Sequence, residues 1–307
     1  RCTGYKKIIE AVQLAARFLR GETTPDAIRP TLAQGIMGVS HPRPSAMAKA
    51  CGTAYFTADY RIEGALELAV LRSALPHARI ASIDASQAEE MPGVAGVMTA
   101  ADIKGTNILK YLVADRPVLC KDRVRYIGDP ILAVAADTRE NAEKALATVK
   151  VRFEPLPTLN DPETALAAEA LPLHADLPNL CYDQPQIKGD AEKAAAAAAA
   201  SVSARFKTQI NHQAPLEPEA TIAYWEKDEA GDDQLVIIGR SINIHYHLGM
   251  LQSALGWENM RYIEAFSGGQ FGIKIDVISE GIAGAAAIHF KRPVRYIPSI
   301  AESMLMT

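Results

Sequence analysis

The 307-residue sequence predicts a mixed α/β fold, of the α/β or α+β kind, on three observations. An apolar run at Ile131–Ala136 leads into an amphipathic stretch ending near Thr148, and a second β-type run covers Val149–Phe153; this is the order of a β-α-β unit. Short segments rich in Val, Ile and Tyr recur on both sides of that unit. Helical periods separate them at Thr3–Gly21, at about Ile244–Leu255 and at about Val277–His289.

Taken in chain order, the first helix is predicted over Thr3–Gly21, with Ile8, Val12, Ala15 and Leu19 on one face, Thr3 as start cap and Gly21 as stop. It presents Cys2 at its amino end, where free backbone amides and the helix dipole favour a thiolate. Arg1-Cys2 is neither an initiator methionine nor a signal peptide, so the chain is expected to start inside a longer polypeptide. Residues 22–45 carry Pro25, Pro30, Pro42 and Pro44 without a sustained period and read as a linker.

A first body is expected over residues 46–160. "ALELAVLRSA", "HARIASIDA" and "GVAGVMT" read as strands, "SQAEEM" as a short helix, and Asp137 or Thr138 as the cap of the helix that ends near Thr148. Pro155 and Pro157 close that body, and residues 161–307 form a second one. There Asp190 caps an alanine-rich helix, and the alternation Val202, Ala204, Phe206 predicts a strand. "EATIAYW", "DQLVIIGRS", "MRYIEAF" and "PVRYIP" read as further strands.

Composition narrows the partners. The formal charge is -4, with Lys and Arg scattered rather than striped, so neither nucleic acid nor an anionic membrane is expected, and no apolar stretch reaches the roughly 18 residues of a span. A soluble, cytoplasmic chain is expected, with the periplasm left open. Four cysteines without a CxxC pair fit neither a disulfide scaffold nor a self-contained zinc site, and Cys51, Cys120 and Cys181 read as buried hydrophobes.

"SGGQFGIK", residues 267–274, falls between a predicted strand and a predicted helix, where glycines let a ligand approach the backbone. Taken alone, the stretch is better accounted for by a tight turn needing positive φ at Gly268 or Gly269, and it lacks the spacing of a P-loop or a dinucleotide fingerprint. His245 and His247 stand two apart on a predicted helix, hence on different faces, which argues against a shared metal; with His212 they read as satisfied polar side chains. Glu217, between Leu216 and Pro218, is a carboxylate in apolar company or one bonded to backbone.

In order and spacing these blocks resemble the molybdenum hydroxylase family, which includes xanthine dehydrogenase and aldehyde oxidoreductase. "RCTGYKKIIEAV" resembles the end of the family's second [2Fe-2S] domain. "LPHARI", "VRYIGDPILAVAADTRENAEKALATVKVRFEPLP" and "KGDAEKAAAAAAASVSARFKTQINHQAPLEPEATIAYW" resemble its α/β-hammerhead and first molybdenum-binding region, and "GGQFGIK" resembles the loop whose Phe-Gly pair contacts the molybdenum-pterin centre. The resemblance implies three consecutive parts: the last helix of a helical [2Fe-2S] domain (1–21), a hammerhead subdomain (46–160), and the first part of a molybdenum-cofactor-binding domain (161–307). It implies Cys2 as the last of four cluster ligands, Phe271 and Gly272 at the cofactor, and Gly269 and Gln270 shaping the loop.

Where many members have glutamine this chain has Ser241, and where many have arginine it has Ile300. Purine hydroxylases tend to carry glutamate where this chain has Ile275, an apolar wall that suits an aldehyde better. The family's catalytic glutamate lies past Thr307, so no catalytic residue is assigned here. The implied function is oxidation of an aldehyde with water to a carboxylic acid, with a purine or N-heterocycle as the alternative substrate and a non-catalytic module as the alternative for the isolated chain. The implied cofactors are a molybdenum-pterin group, in its cytosine dinucleotide form by analogy with bacterial relatives, and [2Fe-2S]. The implied partners are the rest of the same polypeptide, an electron acceptor protein or dye, and a second copy in a homodimer.

Overall fold

A computed structural model describes residues 5–24, 37–38 and 43–306. Cys2, the Thr3 cap and most of the expected linker lie outside the described residues. By internal contact the chain forms two compact units, residues 1–54 and 55–307. The first holds α1 (Lys6–Leu19), with no buried residue, and the short α2 (Ala46–Ala50).

The second unit runs β1 (Leu66–Arg72), β2 (Ala78–Asp84), α3 (Ser86–Glu89), β3 (Val94–Thr99), β4 (Ile108–Leu109), β5 (Arg116–Pro117), β6 (Arg123–Val124), β7 (Pro130–Ala136), α4 (Arg139–Leu146) and β8 (Lys150–Pro155). It continues with α5 (Pro162–Leu166), α6 (Ala191–Ala196), β9 (Thr221–Lys227), β10 (Asp233–Gly239), α7 (Ile244–Leu255), β11 (Met260–Glu264), α8 (Ile278–Phe290), β12 (Val294–Tyr296) and α9 (Ile300–Ser303). Local chemistry sets the boundaries. Thr138 and Asp190 cap α4 and α6 by accepting backbone N–H bonds from Asn141 and Lys193.

Seven strands form one sheet in the order β11-β10-β9-β12-β1-β7-β3. The pairs β1/β12 and β10/β11 are parallel and the others antiparallel. β7 is buried along its whole length because both faces of the sheet are covered there. Ala133 and Ala135 face the main core with Ile282 and Ala286 of α8, whereas Leu132 and Val134 pack with Ala88 and Ala145 of α3 and α4. α8 is buried from Ile278 to Ile288, so its apolar surface all round is what a central helix requires.

Three expectations are corrected. First, β7 and β8 do not form a β-α-β unit within one sheet: β7 already pairs with β1 on one edge and β3 on the other, so β8 joins β2 in a separate sheet, β6-β2-β8. Second, no strand forms at Val202–Phe206. Residues 201–210 carry no regular structure and are exposed, since no neighbouring strand takes their backbone groups and alternation alone does not make a strand. Third, only Cys120 among the described cysteines is buried; Cys51 caps the end of α2 and Cys181 lies in a loop, both exposed. Strands from both sides of residue 160 share the large sheet, β12 pairing with β1 across it.

Candidate functional site

The sheet brings two loop segments together, 211–220 before β9 and 266–277 between β11 and α8. In the second, Gly269 (φ 145°), Phe271 (φ 53°) and Gly272 (φ 99°) all have positive φ. Phe271 is the costly member, because an L side chain in the left-handed region is strained by about 1–2 kcal/mol, and its ring is 73% exposed, so burial does not offset that cost. Neighbouring structure must hold it there. Ile273 N–H donates to the Gln270 carbonyl (3.1 Å) and Ile275 N–H to that of Gly272 (3.1 Å), while the amides of Gln270, Phe271 and Gly272 donate to nothing among the described residues. Consecutive unpaired amides on backbone of this kind form a concave surface for anionic groups.

Gly272 and Ile275 line a cavity of about 470 Å³ together with Gln213, Arg116, Tyr126 and His174. A Cβ on Gly272 would lie 3.9 Å from Gln213 Nε2, so it would occupy the cavity wall without displacing protein atoms. Gly269 abuts the other segment, with Pro215 Cβ 3.1 Å from where its own Cβ would be. Gln270 is half-buried and lies between the two glycines.

Beneath the loop lies a cluster of buried charges. Arg240, at the end of β10, is 1% exposed; it donates to Glu219 Oε2 (3.0 Å) and to the Pro218 carbonyl (3.1 Å). Its Nη1 also lies 3.0 Å from Glu217 Oε1, an ion-pair contact rather than an aligned hydrogen bond. Lys274 is also 1% exposed and donates to Glu217 Oε2 at 2.8 Å. Glu280 on α8 is fully buried and accepts from Tyr262 (2.9 Å) and Ser279 (2.8 Å). Burial raises the Glu219 carboxyl to about 7, against the opposing pull of Arg240, and raises Glu280 as well. Burial and the neighbouring Arg240 lower the Lys274 ammonium.

Of the two readings of Glu217 the bond to backbone holds, through Gly268 N–H at 2.6 Å, and the apolar company is corrected, since the carboxylate also faces two cations. Its chain neighbour Leu216 points outward and is 88% exposed. His245 is exposed and His247 buried on α7, as different faces require. His247 Nδ1 lies 2.7 Å from Ser241 Oγ, which also accepts the Asn243 N–H, so the Ser241 hydroxyl is engaged within the protein. His212 Nδ1 accepts the Ala214 N–H. Ile300 opens α9 and is exposed. Among the described residues no group of three or more His, Cys, Asp or Glu side chains is placed to hold a metal ion.

Arg240, Glu219, Lys274 and Glu280 did not stand out in sequence. A signal was present for three of them: Arg240, Lys274 and Glu280 are charges set in apolar runs, "LVIIGR", "GIKI" and "VISEGIAG". Such charges stay buried only when paired.

Comparison with known proteins assigns the two halves of this arrangement. Residues 51–157 match the a/b hammerhead domain of aldehyde oxidase and xanthine dehydrogenase, and residues 173–307 match the molybdopterin cofactor-binding domain. The chain belongs to the aldehyde oxidase and xanthine dehydrogenase family. An aldehyde oxidoreductase of Megalodesulfovibrio gigas is 36% identical over 96% of this chain and 34% of its own length. The crystal structure of the aldehyde oxidoreductase from Desulfovibrio desulfuricans superposes with a TM-score of 0.89 at 34% identity, covering 98% of this chain and 35% of that one. A nicotinate dehydrogenase large molybdopterin subunit of Eubacterium barkeri is 31% identical over 87% of this chain and 62% of its own. The chain thus spans about a third of the length of the first two relatives and corresponds to part of such an enzyme. Both loop segments of the site fall within the cofactor-binding domain of the family.

Proposed function

We propose that this chain is part of a molybdenum-dependent hydroxylase that converts an aldehyde and water to a carboxylic acid, with release of two electrons and two protons. The observation that carries the reading is the loop of residues 269–272, whose bare amides at Gln270, Phe271 and Gly272 and positive-φ glycines adjoin a cavity walled by Ile275. The residues present fit a molybdenum-pterin group, since Gly272 puts no side chain of its own into the cavity and polar donors converge beside an apolar face. When bound, that group supplies the two-electron and oxygen-transfer chemistry.

When the group is bound, Gly272 N–H would donate a hydrogen bond to it and Phe271 and Gln270 would border it, with Gly269 giving the chain its turn. Ile275 presents a surface that accepts the apolar part of an aldehyde and offers a heterocycle nitrogen no hydrogen bond. The proposal extends to the cytosine dinucleotide form of the pterin, to Cys2 as a ligand of a [2Fe-2S] cluster completed by the rest of the polypeptide, to a separate electron acceptor, and to a cytoplasmic homodimer. No helix among the described residues is long and apolar enough to cross a membrane.

Molybdenum and iron content of the complete polypeptide, with aldehyde and purine turnover, tests the reading. About one molybdenum per polypeptide with aldehyde oxidation is expected, and the Gly272→Val variant is expected to lose molybdenum. Ile275→Glu is expected to lower aldehyde kcat/KM by about 10-fold or more, the usual worth of a pocket contact. Faster oxidation of a purine or N-heterocycle than of every aldehyde would transfer the assignment to that substrate class. Iron without molybdenum would leave an electron-transfer or assembly module.

A further inference from the structure

We propose that Glu217 is a positioning residue that acts as a clasp on the cofactor loop. A single oxygen, Glu217 Oε2, accepts the Gly268 N–H at 2.6 Å and the Lys274 ammonium at 2.8 Å. These donors stand at the two ends of the stretch that contains Gly269, Phe271 and Gly272, and they are 51 and 57 positions from Glu217 in the chain. The carboxylate therefore closes the loop into a ring. Arg240 Nη1, 3.0 Å from Glu217 Oε1, adds an ion-pair contact at the other oxygen that favours this orientation of the carboxylate.

Close packing makes the contact specific. A Cβ on Gly268 would come 2.8 Å from Glu217 Cβ, so the approach of the two segments depends on glycine at that position. Lys274 reaches the carboxylate with its side chain 1% exposed, and a buried ammonium is held there by its partner. Loss of the carboxylate releases both loop ends together, and the strained Phe271, whose exposed ring anchors nothing, relaxes.

The proposal rests on reading residues 267–275 as the cofactor loop, and the two arms of its test separate the ideas. In the first, hydrogen exchange is measured on the complete polypeptide without cofactor. Glu217→Gln is expected to speed exchange of the Gly268, Ile273 and Ile275 amides by about tenfold or more. Lys274→Met is expected to release Ile273 and Ile275 and to leave Gly268 protected. Tyr262→Phe, which loosens the same buried cluster at Glu280 without touching the loop, is expected to change none of them. Equal loosening by Tyr262→Phe, or unchanged exchange in Glu217→Gln, overturns the clasp.

In the second arm, molybdenum content is compared at equal expression. Glu217→Gln is expected to retain less than about a tenth of the wild-type metal. Wild-type metal in that variant overturns the clasp even where exchange responds. A wild-type polypeptide that holds no molybdenum, while exchange responds as expected, removes the cofactor reading and leaves the clasp standing.

Discussion

Arg240→Met is expected to cost the folded protein about 3–5 kcal/mol, the usual penalty for leaving a buried partner charge uncompensated. The guanidinium is 1% exposed and faces Glu217 and Glu219, whose side chains are 11% and 5% exposed. Methionine fills much of the same volume and supplies no donor, so the loss is electrostatic rather than a cavity effect. Against a whole-domain margin of about 5–15 kcal/mol, that is enough to reduce the folded population sharply. The measurement is the unfolding midpoint at pH 8 together with exchange protection of β9, β10 and α8. Adding Glu219→Gln to Arg240→Met is expected to restore part of the stability, because the carboxylate left without a cation is then gone while Glu217 keeps Lys274 as its partner. Arg240→Lys should fall between, since one ammonium cannot reproduce the fork that serves both carboxylates and the Pro218 carbonyl. A loss below about 1 kcal/mol for Arg240→Met would show that the carboxylates do not depend on it.

The second large effect is on pH dependence. Burial lifts Glu219 from the usual 4.5 to about 7, with Glu280 and Glu217 adding repulsion and Arg240 and Lys274 opposing. The folded state then binds more protons than the unfolded state between those values, so this group's contribution to stability falls as pH rises from about 4.5 through about 7. At about 1.4 kcal/mol per pH unit, the window is worth up to about 3.5 kcal/mol. Glu219→Gln is expected to flatten the decline, since an amide still accepts from Arg240 and does not ionise. Unfolding midpoints of both forms from pH 5 to 8 measure it. A wild-type curve that rises through this range, or a variant as steep as wild type, contradicts the assignment. The same cluster touches the loop through Glu217, so cofactor retention should follow the same pH trend.

Much of the local structure was legible in the sequence. The helical period gave α7 its limits at Ile244 and Leu255, the apolar run at Ile131–Ala136 became β7, the Asp190 cap was read from residue type alone, and the α4 cap was narrowed to Asp137 or Thr138, of which the structure uses Thr138. The loop at residues 267–274 was visible as glycines between a strand and a helix, and its family likeness reached the cofactor-binding domain. The false strand at Val202–Phe206 arose from the same kind of signal, because a period records which side chains are alike and not whether a neighbour exists to pair with.

The company of Glu217 was illegible for a related reason: Leu216 and Pro218 flank it in the chain, yet its partners Gly268, Arg240 and Lys274 arrive from other elements. By itself the sequence determined most of the longer elements, the caps of α4 and α6 and the position of a glycine-rich loop, since these depend on backbone propensity and on bonds within a few residues. Only the tertiary structure decided which sheet each strand joins, that β7 and β8 part company, and that Arg240 and Lys274 meet one carboxylate under that loop. Pairings between distant segments are fixed by which edges and charges remain unsatisfied once the core has closed, and that information is spread over the whole chain.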